Sequence, residues 1–251
     1  MAPHLFFAFL SFPSVLYHKS PSLSPLAASE LPTADAIEAA SFMDAVSLAS
    51  TVCEALVEVE SSSASSPALS SSAAASLIPS FLTSSDGARG WFVSSLSDPQ
   101  FRSAALSPAV PRAIVAAIAS APDPPTYDLP RLMVMNVIMP LATAIAHEST
   151  GNTDGAAASL ETFDRATALI KQTASVCREN NISTAALKAD LTTIAVAATI
   201  AKAGWEETRE GESSDNAERL KFWISFMEKW QYQGPQKQAI YTIAAKLSNE
   251  L

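Results

Sequence analysis

The sequence predicts an all-α protein, an irregular bundle of about seven to eight helices around a buried central helix at about residues 128–148. The chain of 251 residues contains only 7 glycines and 8% aromatic residues, which disfavours a β-sandwich or barrel with its many turns. Much of the 48% hydrophobic content is alanine, which loses no side-chain entropy in a helix. Apolar residues also recur at intervals of three and four, the spacing of amphipathic helices.

The first 33 residues differ from the rest of the chain. An apolar run, Leu5 to Phe12, is followed by a stretch rich in serine and proline, and the first acidic residue is Glu30. This order is typical of a presequence that is removed from the mature protein. A secretory signal usually has positive charge before its apolar run, and His4 is the only basic residue there. A transit peptide usually contains arginine, and none occurs before Arg89, so several interpretations stay open. Residues 1–33 therefore predict an organelle-targeting presequence, with a secretory signal or the disordered tail of a cytoplasmic protein as alternatives.

Residues 34–251 are predicted to form a single helical domain, which begins with an amphipathic helix ending near Glu60. Thr33 is a suitable N-cap, and Asp35 stands in the first turn, where the helix dipole favours negative charge. The segment 61–76 that follows consists almost wholly of serine and alanine. This low-complexity composition predicts a flexible loop.

Two helices should follow, and prolines end both of them. The first runs from Asp86 to Asp98, because a residue that precedes a proline avoids the α region. The second follows Pro108 and ends near Ala121, where several prolines occur in close succession.

The central helix starts with Asp128 as N-cap. Fifteen uncharged residues separate Arg131 from His147, and they are apolar on nearly every side of the helix. A membrane span needs about 20 apolar residues, so this shorter run, interrupted by Asn136 and Pro140, predicts a buried core helix and no membrane span.

Four more helices complete the predicted bundle, and a charged segment, 205–216, separates them two and two as an exposed loop. Turn and capping residues place their limits at 154–179, from Ser183 to Gly204, from Asp215 to Gly234, and from Pro235 to the C-terminus.

Charge narrows the choice of partner. The net charge is −9, and residues 1–60 contribute −6 of it, with seven acids against Lys19 alone. No cluster of lysine and arginine occurs, and contacts with a nucleic-acid backbone require one. Other proteins are therefore the expected partners, and nucleic acid is not.

Cofactor and metal motifs are absent from the sequence. Cys53 and Cys177 lie 124 residues apart and outside any metal or redox spacing, so both are predicted to be small core residues. No phosphate-binding loop, dinucleotide-binding glycine motif or nucleophile elbow occurs. We therefore expect no cofactor and assign no catalytic residue.

His147 is the starting point for any catalytic interpretation, because it is the only histidine outside the first 33 residues. With Glu148 or Asp164 it could serve a hydrolase or lyase, or bind a metal. However, residue 144 is alanine and residue 151 is glycine, so neither Glu-x-x-His nor His-Glu-x-x-His is present. A histidine at a helix C-terminus more often stabilises the helix end.

Three further residues are candidate contacts. Asn136 is a polar group in an apolar helix, so it either makes a structural hydrogen bond or contacts a ligand. Trp223 and Trp230 belong to a group of aromatic residues near the C-terminus, and tryptophan is frequent both in cores and in interfaces. They predict either core packing or a docking surface.

Several short motifs together carry a resemblance to a family. In order they are Gly90-Trp91-Phe92-Val93, Ala121-Pro122, Met135-Asn136-Val137, Ala146-His147, Gly151-Asn152, Arg165 and Trp230-Gln231-Tyr232. In these the chain resembles an uncharacterised all-helical family of cyanobacteria and plastid-bearing algae, over about residues 86–180 and the C-terminal tail. The resemblance implies an origin that agrees with an organelle-targeting presequence, which makes the plastid the expected location, and it implies no activity. It adds Trp91 and Arg165 to the candidate contacts.

The function expected from the sequence is that of a soluble, non-catalytic helical protein that binds other proteins, in the assembly or regulation of a plastid complex. Two alternatives remain open at this point. One is a pocket for an apolar ligand or pigment at the helix that carries Asn136 and His147, and the other is the enzyme that uses His147.

Overall fold

The computed structural model describes residues 31–61, 67–122, 125, 127–200 and 214–251, and those from Pro32 onward belong to one compact unit. Within these ranges the chain forms eleven α-helices and no strand, so the predicted all-α class is confirmed. The helices are α1 Ala34–Glu38, α2 Phe42–Ser61, α3 Pro67–Phe81, α4 Ser85–Ser97, α5 Arg102–Ala105, α6 Ala109–Ser120, α7 Leu129–Ser149, α8 Thr153–Glu179, α9 Ala185–Thr199, α10 Ser214–Lys229 and α11 Gly234–Glu250. A 3₁₀ turn, Pro99–Phe101, lies between α4 and α5.

The acidic front of the domain forms two helices where one was predicted. Thr33 caps α1 as expected, because its hydroxyl accepts a hydrogen bond from the Ala36 amide at 3.2 Å. The helix ends at Glu38, and Ser41 then starts α2 by accepting from the Asp44 amide and donating to the Asp44 carboxylate. A serine side chain that satisfies a free helix N–H gives the chain a second starting point, and so it interrupts the helix.

The prediction of a flexible loop at 61–76 is wrong for residues 67–76, which form the first part of α3. Pro67 is the first residue of this helix, where its missing N–H costs no hydrogen bond. Further along α3 the Ile78 side chain is completely buried. Packing of an apolar face stabilises a helix more than intrinsic propensity does, and composition alone does not reveal that packing. Residues 62–66 lie outside the described part of the chain.

Other predicted limits agree with the structure. α4 ends at Ser97, directly before Asp98-Pro99, and Asp128 caps α7 by accepting from the Arg131 amide at 3.0 Å. The presequence predicted at 1–33, apart from its last three residues, lies outside the described residues, as does most of the charged loop predicted at 205–216.

α2 and α4 pack closely because α4 has a glycine where the two helices meet. A Cβ atom on Gly90 would lie 2.6 Å from the Cβ atom of Ala45 and 2.8 Å from the backbone nitrogen of Val46. One turn later Ser94 Oγ donates to the Val46 carbonyl at 2.7 Å. Trp91, next to the glycine, is completely buried. The close contact explains why a glycine stands in this aromatic segment.

α7 packs along α8 and also contacts α9, α11 and α4. By length and composition alone it could cross a membrane, as could the bent pair Pro99–Ala105 and Ala109–Ser120 if that pair counted as one span. Only 39% of the apolar window of α7 is buried. The expectation of a helix buried on all sides therefore holds for one face only, and the opposite face is half-exposed.

Candidate functional site

Asp190, on α9, is completely buried, and one of its oxygens faces donors from two other helices. Its Oδ1 atom accepts hydrogen bonds from Trp223 Nε1 at 2.8 Å and from Arg131 Nε at 3.2 Å. Arg219 Nε lies 3.2 Å from the same oxygen and adds its charge without a well-directed hydrogen bond. We call these four residues the Asp190 cluster. It joins α7, α9 and α10.

Arg131 links the cluster to the start of α7. Its guanidinium lies 3.1 Å from the carboxylate of Asp128, the residue that caps the helix, and 4.4 Å from the centre of the Phe222 ring. A guanidinium can serve a carboxylate and an aromatic face together because it is planar and carries several N–H groups. The N-terminus of α7 is therefore held in place from α9 and α10 at once.

The electrostatics of the cluster favour a structural role. Burial raises the pKa of Asp190 above its ordinary value, and the neighbouring charge of Asp128 raises it further. Arg131, the Trp223 hydrogen bond and Arg219 act in the opposite direction. The second carboxylate oxygen, Oδ2, has no hydrogen-bond partner in the part of the chain that the structure describes. Burial of the Asp190 charge is unfavourable, and the hydrogen bonds from Trp223 and Arg131, which join three helices, offset part of that cost.

One side of α7 is mainly apolar and only half-buried. We define this outer α7 face by the residues of intermediate burial that share one side of the helix, namely Leu132, Met135, Asn136, Met139, Thr143 and Ala146. Positions three and four apart lie on the same side of a helix, so the six residues form one stripe. The buried residues of the helix, Met133, Val134, Val137 and Ile138 among them, occupy the other side.

The polar groups on this stripe bond mainly to their own helix. Asn136 Nδ2 donates to the Leu132 carbonyl and Thr143 Oγ1 donates to the Met139 carbonyl, both at 2.8 Å. Asn136 was predicted to make either a structural bond or a ligand contact, and this bond is of the structural kind. Pro140 has no N–H, so the Asn136 carbonyl lacks its usual donor four residues later. The outer α7 face is therefore apolar with a backbone acceptor near its middle.

His147 belongs to the turn between α7 and α8. Its carbonyl accepts from the Asn152 amide at 2.9 Å, and its ring Nδ1 lies 3.1 Å from Asn152 Nδ2. Glu148 and Asp164, the acids considered with it, are both exposed. No group of three or more metal-ligating side chains is found among the described residues. The geometry accounts for His147 as a helix-terminating residue.

Arg165 and Trp91 serve the core. Arg165 is 4% exposed, and its guanidinium donates to the carbonyls of Asp98 and Glu161, so it fastens the end of α4 to α8. Burial lowers the pKa of Arg165, and the Glu161 carboxylate opposes this. Trp91 packs against Phe81 with ring centres 5.4 Å apart, and its indole N–H has no partner among the described residues. Neither side chain is placed to meet a partner.

The C-terminal aromatic residues divide between core and surface. Trp223 is completely buried in the Asp190 cluster, so the alternative of core packing applies to it. Trp230 is half-buried and lies against Phe226, with ring centres 6.3 Å apart. Among the six candidate contacts, Asn136, His147 and Trp230 are half-buried, and Trp91, Arg165 and Trp223 are buried.

Asp190 and Arg219 were not among the predicted site residues. Asp190 stands three residues after Leu187 and four before Ile194, within the apolar pattern of α9. A carboxylate at a position where the spacing predicts burial must find partners, and this signal could have identified it. The partner Arg219 lies on another helix, which sequence spacing does not reveal.

These observations describe an all-α protein in which a buried ion-pair cluster anchors a helix whose opposite face is apolar and half-exposed. A model of the family described as uncharacterised conserved protein UCP020893 matches residues 41–199. The match covers more than half of the chain, which therefore belongs to this family. Comparisons with the curated proteins and with the solved structures found no match.

The family match confirms the resemblance to an uncharacterised family and corrects its limits. It begins at residue 41, so it includes α2 and α3, which the resemblance left out. It ends at residue 199, so the C-terminal motif Trp230-Gln231-Tyr232 lies beyond it. The outer α7 face, His147 and Asp190 fall inside the matched region, whereas α10 and α11 fall outside it.

Proposed function

We propose that this protein binds another protein through the outer α7 face. The observation that carries the proposal is the incomplete burial of a long apolar helix that is firmly anchored on its other side. Large contiguous apolar patches on the surface of a folded domain mark interaction sites, and this stripe runs from Leu132 to Ala146 without a charged residue. Its location inside the matched region supports a function that belongs to the family.

The side chains of the stripe suit an apolar partner helix. Met135 and Met139 are unbranched and polarizable, so they adapt to surfaces of different shape. Ala146 and Thr143 are small and allow close approach. An amphipathic helix of the partner would bury its apolar side on this stripe, with its anchors three and four residues apart.

A protein partner is favoured over a lipid bilayer because α7 is already engaged. Insertion into a membrane would separate α7 from α8 and α9 and would break the Arg131–Asp190 ion pair. Asp190 would then keep only Trp223 and Arg219, and breaking a buried ion pair is strongly destabilising. The plastid location and the role in assembly or regulation of a complex are part of the proposal, and the composition of residues 1–33 and the resemblance support them.

Substitution of the stripe tests the proposal. Met135→Lys with Met139→Lys should leave the fold intact, because both side chains are half-exposed and lysine is a good helix former. The matched control is Ala116→Lys, on an exposed position of α6. Each tagged chain would be incubated with an extract of its source organism, and the proteins retained would be quantified by mass spectrometry.

The proposal expects at least one protein that the wild type and Ala116→Lys retain and that the double variant loses by tenfold or more. Circular dichroism and the Tm must be alike in all three chains for this comparison to count. Equal retention by the double variant would overturn the proposal. Flotation of the wild type with lipid vesicles, abolished by the double variant, would overturn it in favour of a membrane surface.

A further inference from the structure

A cleft lies where α9 ends, α10 ends and α11 begins. It has a volume of about 200 Å³, and all of its lining residues except Ala197 lie beyond the region of the family match. Its lining combines four apolar side chains with polar ones, and the two charged residues among them are Glu228 and Lys237. An apolar cavity of about 150 Å³ can hold a molecule of the size of benzene, so this cleft has room for a small metabolite.

The cleft contains two opposite charges that form no ion pair within the described part of the chain. Among the described residues neither Glu228 nor Lys237 makes an ion pair, although both line the same small space. Glu228 is exposed and Lys237 is half-buried. A pair of unpaired opposite charges in one cleft suits a ligand that carries both charges itself.

The apolar residues that line the cleft indicate which side chain the ligand carries. Ile200, Ile224 and Met227 supply branched and flexible apolar surface. Tyr232 also lines the cleft, and although it is only 8% exposed, its hydroxyl has no hydrogen-bond partner among the described residues. A buried hydroxyl without a partner is costly, so a ligand acceptor that it could reach would relieve that cost.

The rim of the cleft contains a strained residue. Gln231 has φ +53°, in the left-handed region that favours glycine. It terminates α10, where its amide donates to the Glu228 carbonyl and the Tyr232 amide donates to the Met227 carbonyl. A glutamine at such a position costs backbone energy, which is consistent with a use for its exposed side chain at the rim.

We propose that this cleft binds a free α-amino acid with an aliphatic side chain. The ligand's carboxylate would meet Lys237, its ammonium group would meet Glu228, and its side chain would lie against the wall of Ile200, Ile224 and Met227. This site is separate from the outer α7 face and does not depend on the function proposed for that face.

Calorimetric titration of the full chain with L-leucine tests the site. Two analogues each lack one charge: 4-methylpentanoate has no ammonium group, and 3-methylbutylamine has no carboxylate. The proposal expects leucine to bind, and each analogue to bind at least tenfold more weakly. Equal binding of leucine and either analogue would overturn the zwitterion assignment, and the absence of leucine binding at millimolar concentration would overturn the site.

Two variants assign the contacts. Glu228→Gln and Lys237→Gln should each weaken leucine binding at least tenfold, with an unchanged Tm in the absence of ligand. Matched controls are Glu218→Gln on α10 and Lys188→Gln on α9, both exposed and outside the cleft. Binding that survives in both cleft variants would contradict the proposal. None of these residues lies on the outer α7 face, so failure here leaves the protein-binding proposal standing.

Discussion

Replacement of Asp190 tests whether one buried oxygen joins three helices. Asp190→Ala removes the acceptor for Trp223 and Arg131 and the counter-charge for Arg219. Loss of one member of a buried ion pair costs about 3–5 kcal/mol. The side chains of Arg131 and Arg219 are 23% and 19% exposed, so water relieves part of their charge and places the cost near 3 kcal/mol. The free energy of unfolding should fall by about that amount.

Asp190→Asn separates hydrogen bonding from charge. Asparagine keeps an Oδ1 acceptor for Trp223 and Arg131, and its amide nitrogen replaces the oxygen that has no partner. What is lost is charge assistance, since hydrogen bonds to charged groups exceed neutral ones by about 1 kcal/mol. Burial raises the pKa of Asp190, which means that desolvation of the charge outweighs the gain from the two arginines, so the asparagine variant should lose no more than about 1 kcal/mol, clearly less than the alanine variant.

The dependence on pH gives a second test of the same residue. Burial raises the pKa of Asp190 in the folded protein above the ordinary value of 3.8, so the folded protein holds this proton more tightly than the unfolded chain does. As the pH falls from above the folded pKa towards 3.8, the folded state takes up the proton first, so the wild type gains stability relative to Asp190→Asn. As the pH rises through that window, this relative gain is lost.

Urea unfolding followed by circular dichroism measures all of these differences by linear extrapolation. Asp164→Ala, an exposed acid on α8, is the control and should stay within about 0.5 kcal/mol of the wild type. A cost below about 1 kcal/mol for Asp190→Ala would refute the proposed role of the cluster. Equal costs for alanine and asparagine would refute the argument that Oδ1 acts as a hydrogen-bond acceptor.

Five further substitutions test the local geometry, and thermal or urea unfolding measures the effect of each. Gly90→Ala should destabilise by about 1–3 kcal/mol despite alanine's helix propensity, because its Cβ would collide with α2; a neutral result would contradict the close packing. Trp223→Phe should cost about 1–3 kcal/mol more than Trp91→Phe, since only Trp223 has a bonded indole N–H, and equal costs would contradict this. Gln231 and Gly151 both have positive φ, which glycine adopts without strain. Gln231→Gly should therefore raise the free energy of unfolding and Gly151→Ala should lower it, each by about 0.5–1 kcal/mol. Changes of the opposite sign would contradict the backbone argument.

Local signals in the sequence predicted the helices well where side chains act on the nearest backbone. Thr33 and Asp128 cap helices as expected, and Asp98-Pro99 ends one. These effects reach three or four residues, so they are visible in a single sequence. The Ser41 cap has the same range and was missed, because the apolar spacing continued across it.

Effects that depend on distant residues were not predictable in the same way. The serine- and alanine-rich start of α3 is helical because its later residues pack in the core, which composition does not show. The spacing of α7 predicted burial all round, but how many helices surround a given side depends on the whole arrangement. Asp190 could be suspected from its place in an apolar pattern, whereas its partners Arg219 and Trp223 lie about thirty residues away on another helix.

Free cysteines were correctly predicted to be core residues. Cys53 and Cys177 are both buried and unpaired. Burial raises the pKa of each thiol, so neither is a ready nucleophile at neutral pH. Protein binding through the outer α7 face, the account proposed above, requires no reactive thiol.

Site-specific photo-crosslinking in cells of the source organism tests that account most directly. A photoreactive amino acid would replace Met139 on the outer α7 face and, in a parallel strain, Ala116 on α6. The account predicts a discrete crosslinked protein from position 139 and none from position 116. Crosslinks from position 139 to lipid alone, or the same products from both positions, would contradict it.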